Sequence, residues 1–334
     1  MRTWHMKGLL NACAGYAGGD PTDSLRQLTG QFLVRARSYP SDLSLAAEAL
    51  KTLPPRGAAW LAVAIGAAVE DGGDAGLATP AVVDLFLSWL PRLPVSQRTD
   101  AVPAPAPPAP TPEQASLLEA FRELAPAVVS HVARSPATRE RLSHDIALLD
   151  RLEVLEDYTA GAAWIRETLL RSSGTLIVLY PPGEMGFRLR YENVATCFHL
   201  FSLIQAAIGE RIPGGRKADP AVVASAKGKS RDAVTDEAWW HYGDPRSKTA
   251  DPRRSIWGEA LVREIPIVNA ERVVVLWPLM VASRSWNSAF FGPQLDALAP
   301  DVVIQEALTV EECRAWLEAL GIGKGGRRRR WWLW

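Results

Sequence analysis

Apolar residues recur at helical spacing through the first hundred residues of the chain. Leu25, Leu28 and Phe32 share one face of a predicted helix, and residues 58–69 form an apolar run that predicts a buried one. Thr79, followed by proline, predicts the capped start of another helix. The regular spacing of these helices predicts stacked helical hairpins.

The helical pattern resumes after a proline-rich segment. The sequence Thr-Pro-Glu at 111–113 predicts a helix start, and helical spacing continues to about residue 171. Pro126 and Pro136 are expected to interrupt it, because proline removes a helix hydrogen bond.

Strand patterns begin near residue 174. Residues 175–180 and 186–192 flank a Pro-Pro-Gly turn and predict a β-hairpin. Residues 265–268 and 272–277 predict a second strand pair, and residues 302–304 a further strand. The apolar residues 196–208 between the pairs predict a helix. We therefore expect an α+β fold, with a helical N-terminal half followed by a small mixed α/β domain.

Composition shifts divide the chain further. Residues 101–112 (AVPAPAPPAPTP) predict an exposed spacer of polyproline type, and the polar residues 211–256 predict a long loop. The expected organisation is a helical region (1–100), a Pro/Ala linker (101–112), a second helical region (113–172), an α+β domain (173–322) and a tail (323–334).

Composition and charge narrow the class of protein. A chain of 334 residues with 48% hydrophobic and 22% charged residues is long enough for two domains and is not globally disordered. The 37 basic and 37 acidic residues balance, but Lys324 and Arg327 to Arg330 lie in the tail, so the body carries 32 positive against 37 negative charges, a net of −5. An acidic body disfavours a broad nucleic-acid-binding face.

No motif identifies a cofactor or a metal. Cys13, Cys197 and Cys313 are far apart and odd in number, which predicts no zinc site or disulfide framework and favours a reducing, cytoplasmic location. The run 58–69 is shorter than the roughly 20 residues that span a bilayer. No P-loop or nucleophile elbow is present. We therefore predict no cofactor, no metal and no catalytic residue.

Two pairs of side chains resemble catalytic pairs only superficially. Cys197 and His199 are two positions apart in a predicted helix and so point to different sides. Arg139 and His144 match a ribonuclease spacing that an arginine-rich chain produces by chance. Neither pair predicts an active site.

Aromatic residues indicate a binding surface more strongly than these pairs indicate an active site. Trp257, Arg284 and Trp286 lie in the tryptophan-rich second half, and tryptophan and arginine are the residue types enriched in binding hot spots. We predict an interaction surface that contains these three residues. The alternative is a tryptophan-rich core in which Arg284 stacks on a ring.

The C-terminal tail is both cationic and aromatic. This chemistry is compatible with four alternative targets. They are a groove on a partner protein, an anionic membrane, nucleic acid as the weakest candidate, and an apolar groove on its own domain, with the arginines facing acidic residues. The predicted contact residues are Arg327, Arg328, Arg329, Arg330, Trp331, Trp332 and Trp334.

The second half of the chain also resembles a known group of proteins. The segments GFR at 186–188, FHLFSL at 198–203, RVVVL at 272–276 and SRSW at 283–286 resemble accessory domains of bacterial ternary conflict systems. Those domains accompany MoxR-type ATPases, von Willebrand A proteins and β-propellers. The resemblance spans residues 174–291 and implies an adaptor role in antiphage defence, without catalytic residues.

The sequence therefore predicts a non-enzymatic adaptor that binds another protein in the bacterial cytoplasm. A membrane-docking or membrane-active protein, peripheral to the bilayer, is the first alternative. An enzyme assembled from scattered residues such as Arg190, Glu192, His199 and His241 is the second.

Overall fold

The computed structural model describes residues 2–95, 108–228, 234–258, 260–286 and 295–322. For residues 2–5, 234–240, 252, 279–286 and 296 it describes the backbone alone. The chain forms two compact units, Met1–Leu169 with Phe291–Leu298, and Leu170–Phe290 with Ala299–Trp334. The α+β class predicted from the sequence is confirmed, since helices dominate the first unit and the second contains a six-stranded sheet.

Helices account for the regular structure of the first half of the chain. They are α1 (Arg2–Ala14), α2 (Asp23–Ala36), α3 (Pro40–Ala49), α4 (Pro55–Glu70), α5 (Thr79–Trp89), α6 (Pro112–Arg134), α7 (Pro136–Ser143), α8 (Ile146–Leu155) and α9 (Ala160–Leu170).

Small residues allow α4 to pack closely against its neighbours. A Cβ atom on Gly57 would lie 2.1 Å from the carbonyl oxygen of Cys13 in α1. A Cβ on Gly66 would lie 3.2 Å from the Cα of Ala127 in α6. The apolar run predicted to form a buried helix is therefore the centre of the helical unit, packed between α1 and α6.

Two predictions for this unit are wrong. Pro126 lies inside α6 and does not interrupt it, because buried neighbours such as Leu124 and Val128 hold the helix in the core despite the missing backbone donor. Thr79 does not cap α5: it is the first helical residue, and its hydroxyl contacts His131 instead.

The proline-rich spacer is described only in part. Residues 101–107 lie outside the described residues, and residues 108–111 have no regular structure. Pro112 is the first residue of α6, which confirms the helix start predicted at Thr-Pro-Glu. Thr111 also caps that helix reciprocally with Gln114.

The second unit is built on a mixed sheet of six strands. They are β1 (Ser172–Tyr180), β2 (Met185–Val194), β3 (Val234–Gly243), β4 (Ile267–Val268), β5 (Glu271–Trp286) and β6 (Asp301–Ala307). Their order in the sheet is β3-β5-β1-β2-β6, with β4 paired to β5. Strands β1 and β5 are parallel, and the other pairs are antiparallel.

Helices cover both faces of this sheet. Inward residues of β1 and β2, such as Leu176 and Leu189, pack with α10 (Cys197–Ile208) and α11 (Pro220–Ala226). Ile177 and Val273 face the other way and pack with α12 (Val310–Ala319). Because strand residues alternate between faces, Arg188 and Arg190 lie on the α12 side of β2.

The hairpin β1–β2, the pair β4–β5 and strand β6 confirm three sequence predictions. The long loop predicted over residues 211–256 is wrong, since this segment contains α11 and β3. Strand β3 was missed because its partner β5 lies far along the chain and Asp236 and Glu237 weaken its local strand pattern. Within the described ranges, no helix is long and apolar enough to cross a bilayer.

Candidate functional site

Trp257 is an exposed indole on a loop that the backbone holds firmly. Its residue is 55% exposed. Ile256 donates its backbone N–H to Tyr242, and Phe198 donates to the carbonyl of Gly258, each at 2.8 Å. A Cβ on Gly258 would lie 2.4 Å from the ring of Phe198, so the loop packs directly on the start of α10. Trp257 therefore exposes just over half of its surface on a loop whose backbone is held by hydrogen bonds.

Arg284 and Trp286 lie near the end of β5, opposite Asp236 and Val234 of β3. Trp257 lies beside Tyr242, near the other end of β3. Six residues of extended strand separate Asp236 from Tyr242, which is about 20 Å. The backbone thus places Trp257 at one end of the β3–β5 pair and the other two residues at the opposite end.

The predicted contact residues of the tail, Arg327 to Arg330, Trp331, Trp332 and Trp334, lie outside the described residues. The described chain ends just after α12. There Gly321 adopts a φ of +66°, and Ile322 donates its backbone N–H to Leu317 at 2.8 Å. This is a Schellman motif, in which glycine supplies the left-handed residue that ends a helix.

The Cys197–His199 pair has no nucleophilic geometry. Burial raises the pKa of Cys197 to about 12, so its thiol stays protonated. His199 retains some exposed surface, yet its imidazole is densely surrounded, and its Nδ1 lies 3.0 Å from the Thr196 hydroxyl. Burial, with the nearby charge of Arg171, lowers the pKa of His199 to about 4. Cys13 and Cys313 are likewise free, buried thiols.

The scattered residues of the enzyme alternative do not converge. Arg190 and Glu192 form an exposed ion pair at 3.2 Å on β2. His199 belongs to α10, which covers the other face of the sheet. His241 is buried on β3, three strand spacings from β2, or about 14 Å. No single cavity can use all four side chains.

The Arg139 and His144 pair also lacks a shared site. His144 is the C-cap residue that follows α7, and its Nδ1 lies 2.8 Å from the carbonyl oxygen of Glu140. Burial lowers the pKa of Arg139 in the middle of the same helix. Among the residues whose side chains are described, no group of three His, Cys, Asp or Glu residues is arranged to hold a metal ion.

A groove beside α12 was not predicted from the sequence. It has a volume of about 250 Å³, and we call it the α12 groove. Its lining residues are Arg188, Asn269, Leu308, Glu312, Ala315 and Trp316. They come from β2, the β4–β5 turn, the segment between β6 and α12, and α12 itself. Because these elements are far apart along the chain, no local sequence pattern predicts the groove.

Comparison with known proteins gives no relative: no protein-family model, no curated protein and no solved structure matches this chain.

Proposed function

We propose that this chain is a non-enzymatic interaction subunit of a bacterial, defence-related multiprotein system. In this proposal it binds another protein in the cytoplasm through Trp257, through Arg284 and Trp286, and through its cationic, aromatic tail. The resemblance of residues 174–291 to conflict-system accessory domains supports the proposed place in a bacterial defence system. Nucleic acid is the least favoured partner because the body is acidic.

The observation that carries the proposal is the exposed, firmly supported indole of Trp257. A large aromatic side chain on a preorganised loop gains buried apolar area on binding while losing little conformational freedom. Arg284 and Trp286 add a second contact point at the far end of the β3–β5 pair. A partner that follows this strand pair can reach both.

The experiment measures binding to the proteins encoded by the neighbouring genes, with a MoxR-type ATPase, a von Willebrand A protein and a β-propeller as the probes. We expect Trp257→Ala to raise the Kd at least tenfold with little change in thermal stability. The matched control is Ile146→Ala, since Ile146 is an apolar residue 71% exposed in the helical unit. Equal Kd values for both variants and the unaltered protein would refute a role for Trp257.

Arg284→Ala and Trp286→Ala separate the interaction surface from the alternative of a tryptophan-rich core. Weaker partner binding at unchanged melting temperature supports a surface role. A collapse of thermal stability in both variants supports the core instead.

The RRRRWWLW sequence of the tail favours membrane docking as a second candidate function. Basic residues gain about 1 kcal/mol each at an anionic bilayer surface, and tryptophans favour the interface. Sedimentation with phosphatidylserine-containing vesicles, compared with pure phosphatidylcholine vesicles, tests this candidate. Replacing Arg327 to Arg330 by serine should abolish any binding that depends on anionic lipid.

A further inference from the structure

The α12 groove combines an apolar floor with an acidic rim. Trp316 and Leu308 pack against the apolar cluster of Ile177 and Val273, so the groove has a fixed hydrophobic base. Ala315 and Glu312 are exposed one helical turn apart on α12 and form one wall. Such a groove can accept an aromatic side chain that has positive charges beside it.

The rim carries more negative than positive charge. Arg188 donates a hydrogen bond to Glu306 at 2.7 Å and also pairs with Glu271. Arg188 and Glu312 line the groove, and Glu271 and Glu306 adjoin it through their ion pairs with Arg188, so these four side chains carry three negative charges and one positive charge. Hydrogen bonds from the backbone N–H and the hydroxyl of Thr309 lower the pKa of Glu312 and keep it ionised.

The chain itself supplies a segment of matching chemistry close to this groove. Helix α12, which forms one wall, leads directly through the Schellman turn at Gly321 into residues 323–334. Glu312 lies ten residues before Ile322, or about 15 Å along a helix, whereas the following residues span roughly 40 Å when extended. Further glycines at 323, 325 and 326 allow the chain to reverse direction.

We propose that the α12 groove is the docking site of this chain's own C-terminal segment, residues 327–334. One indole of the segment packs on Trp316 and Leu308, and its arginines lie beside Glu306 and Glu312. An arginine side chain stacked on the Trp316 ring adds a cation–π contact. The four arginines complement the acidic rim, and the indoles complement the apolar floor.

This docking goes beyond the proposed function and does not depend on it. A partner or a membrane that binds the tail has to displace it from the groove, so the groove would restrain the tail until a stronger ligand is present. The following experiment distinguishes docking of the chain's own tail from occupation of the groove by a second copy of the chain and from an empty groove.

The test uses the full chain with the photo-crosslinking residue p-benzoylphenylalanine in place of Ala315, which is exposed and lines the groove. After irradiation of the purified protein without any partner, we expect a crosslink to residues 327–334 in the band of monomeric mass. A crosslink to the tail in a dimeric band overturns the intramolecular assignment. A crosslink to another segment only, or no crosslink, overturns the proposal entirely.

Charge variants then test whether the α12 groove recognises the tail by its charge. The double variant Glu306→Gln with Glu312→Gln should lower the crosslink yield at least threefold, and glutamine at 312 retains the capping geometry with Thr309. The matched control is Glu318→Gln, which removes an exposed carboxylate from α12 outside the groove lining. Replacing all four tail arginines by serine should lower the yield equally. Unchanged yields in both the double variant and the arginine variant would refute charge recognition.

Discussion

The hydroxyl oxygen of Thr79 and the Nδ1 atom of His131 lie 3.0 Å apart in the interior of the helical unit. Both residues are buried, and their hydrogen bond joins the first turn of α5 to α6. Burial lowers the pKa of His131 to about 4, so the imidazole is neutral at pH 7. A threonine whose sequence position indicates a helix cap is thus part of a buried polar pair.

Thr79→Val should destabilise the protein by about 1–3 kcal/mol, because it leaves the Nδ1 atom of His131 buried without its partner. Valine has nearly the same shape, so packing is preserved. Thr52→Val is the control, since the Thr52 hydroxyl donates to Ala49 at an exposed site. Urea denaturation followed by circular dichroism measures both free energies of unfolding, and equal losses would contradict the prediction.

The stability of the helical unit should fall as the pH is lowered from about 6.5 to about 4. The pKa of His131 is about 4 in the folded protein and near 6.5 when unfolded, so acid protonates the unfolded chain first. The shift corresponds to a loss of up to about 3 kcal/mol. His131→Leu should remove this part of the pH dependence when urea denaturation is followed at both pH values.

Gly57→Ala should destabilise the helical unit by about 1–3 kcal/mol or more, because its Cβ would lie 2.1 Å from the backbone oxygen of Cys13. Backbone cannot yield as a flexible side chain does, so α1 would have to shift. Gly30→Ala in α2 should instead stabilise by about 0.5–1 kcal/mol, since nothing lies within 4 Å of its Cβ position. Melting temperatures that move in the same direction for both variants would contradict this packing argument.

Ala270→Gly should stabilise the second unit by about 1 kcal/mol. Asn269 and Ala270 form the two-residue turn between β4 and β5, with φ values of +49° and +65°. This is the backbone of a type I′ turn, in which glycine is favoured at the second position. Ala319→Gly, at the last residue of α12, should destabilise instead, and thermal melts of the two variants provide the comparison.

Local signals in the sequence predicted the elements that depend on neighbouring residues. The helix start at Thr111 and the hairpin β1–β2 each arise from a few adjacent positions. Where tertiary contacts override local preference, prediction failed, as at Thr79 and Pro126. The physical reason is that buried packing outweighs a missing cap or a missing backbone donor.

The candidate sites likewise divide into one that residue type indicates and one that depends on tertiary contacts. Trp257 was selected by residue type, and its exposure agrees with a contact role that only a binding measurement tests. The α12 groove could not be predicted, because the ion pairs of Arg188 join residues 83 and 118 positions apart. Only the register of the sheet brings these charges to one rim.

The parallel pairing of β1 with β5 has a consequence for the rate at which the second unit folds. Thr175 and Glu271, whose side chains share a hydrogen bond beside this pairing, are 96 positions apart. A loop of that length must close before the central strands meet, whereas the β1–β2 hairpin can form in about 1–10 μs. We therefore expect the sheet to be assembled late, after the hairpin and the locally connected helices, so a slow refolding phase should report on Trp277 of β5.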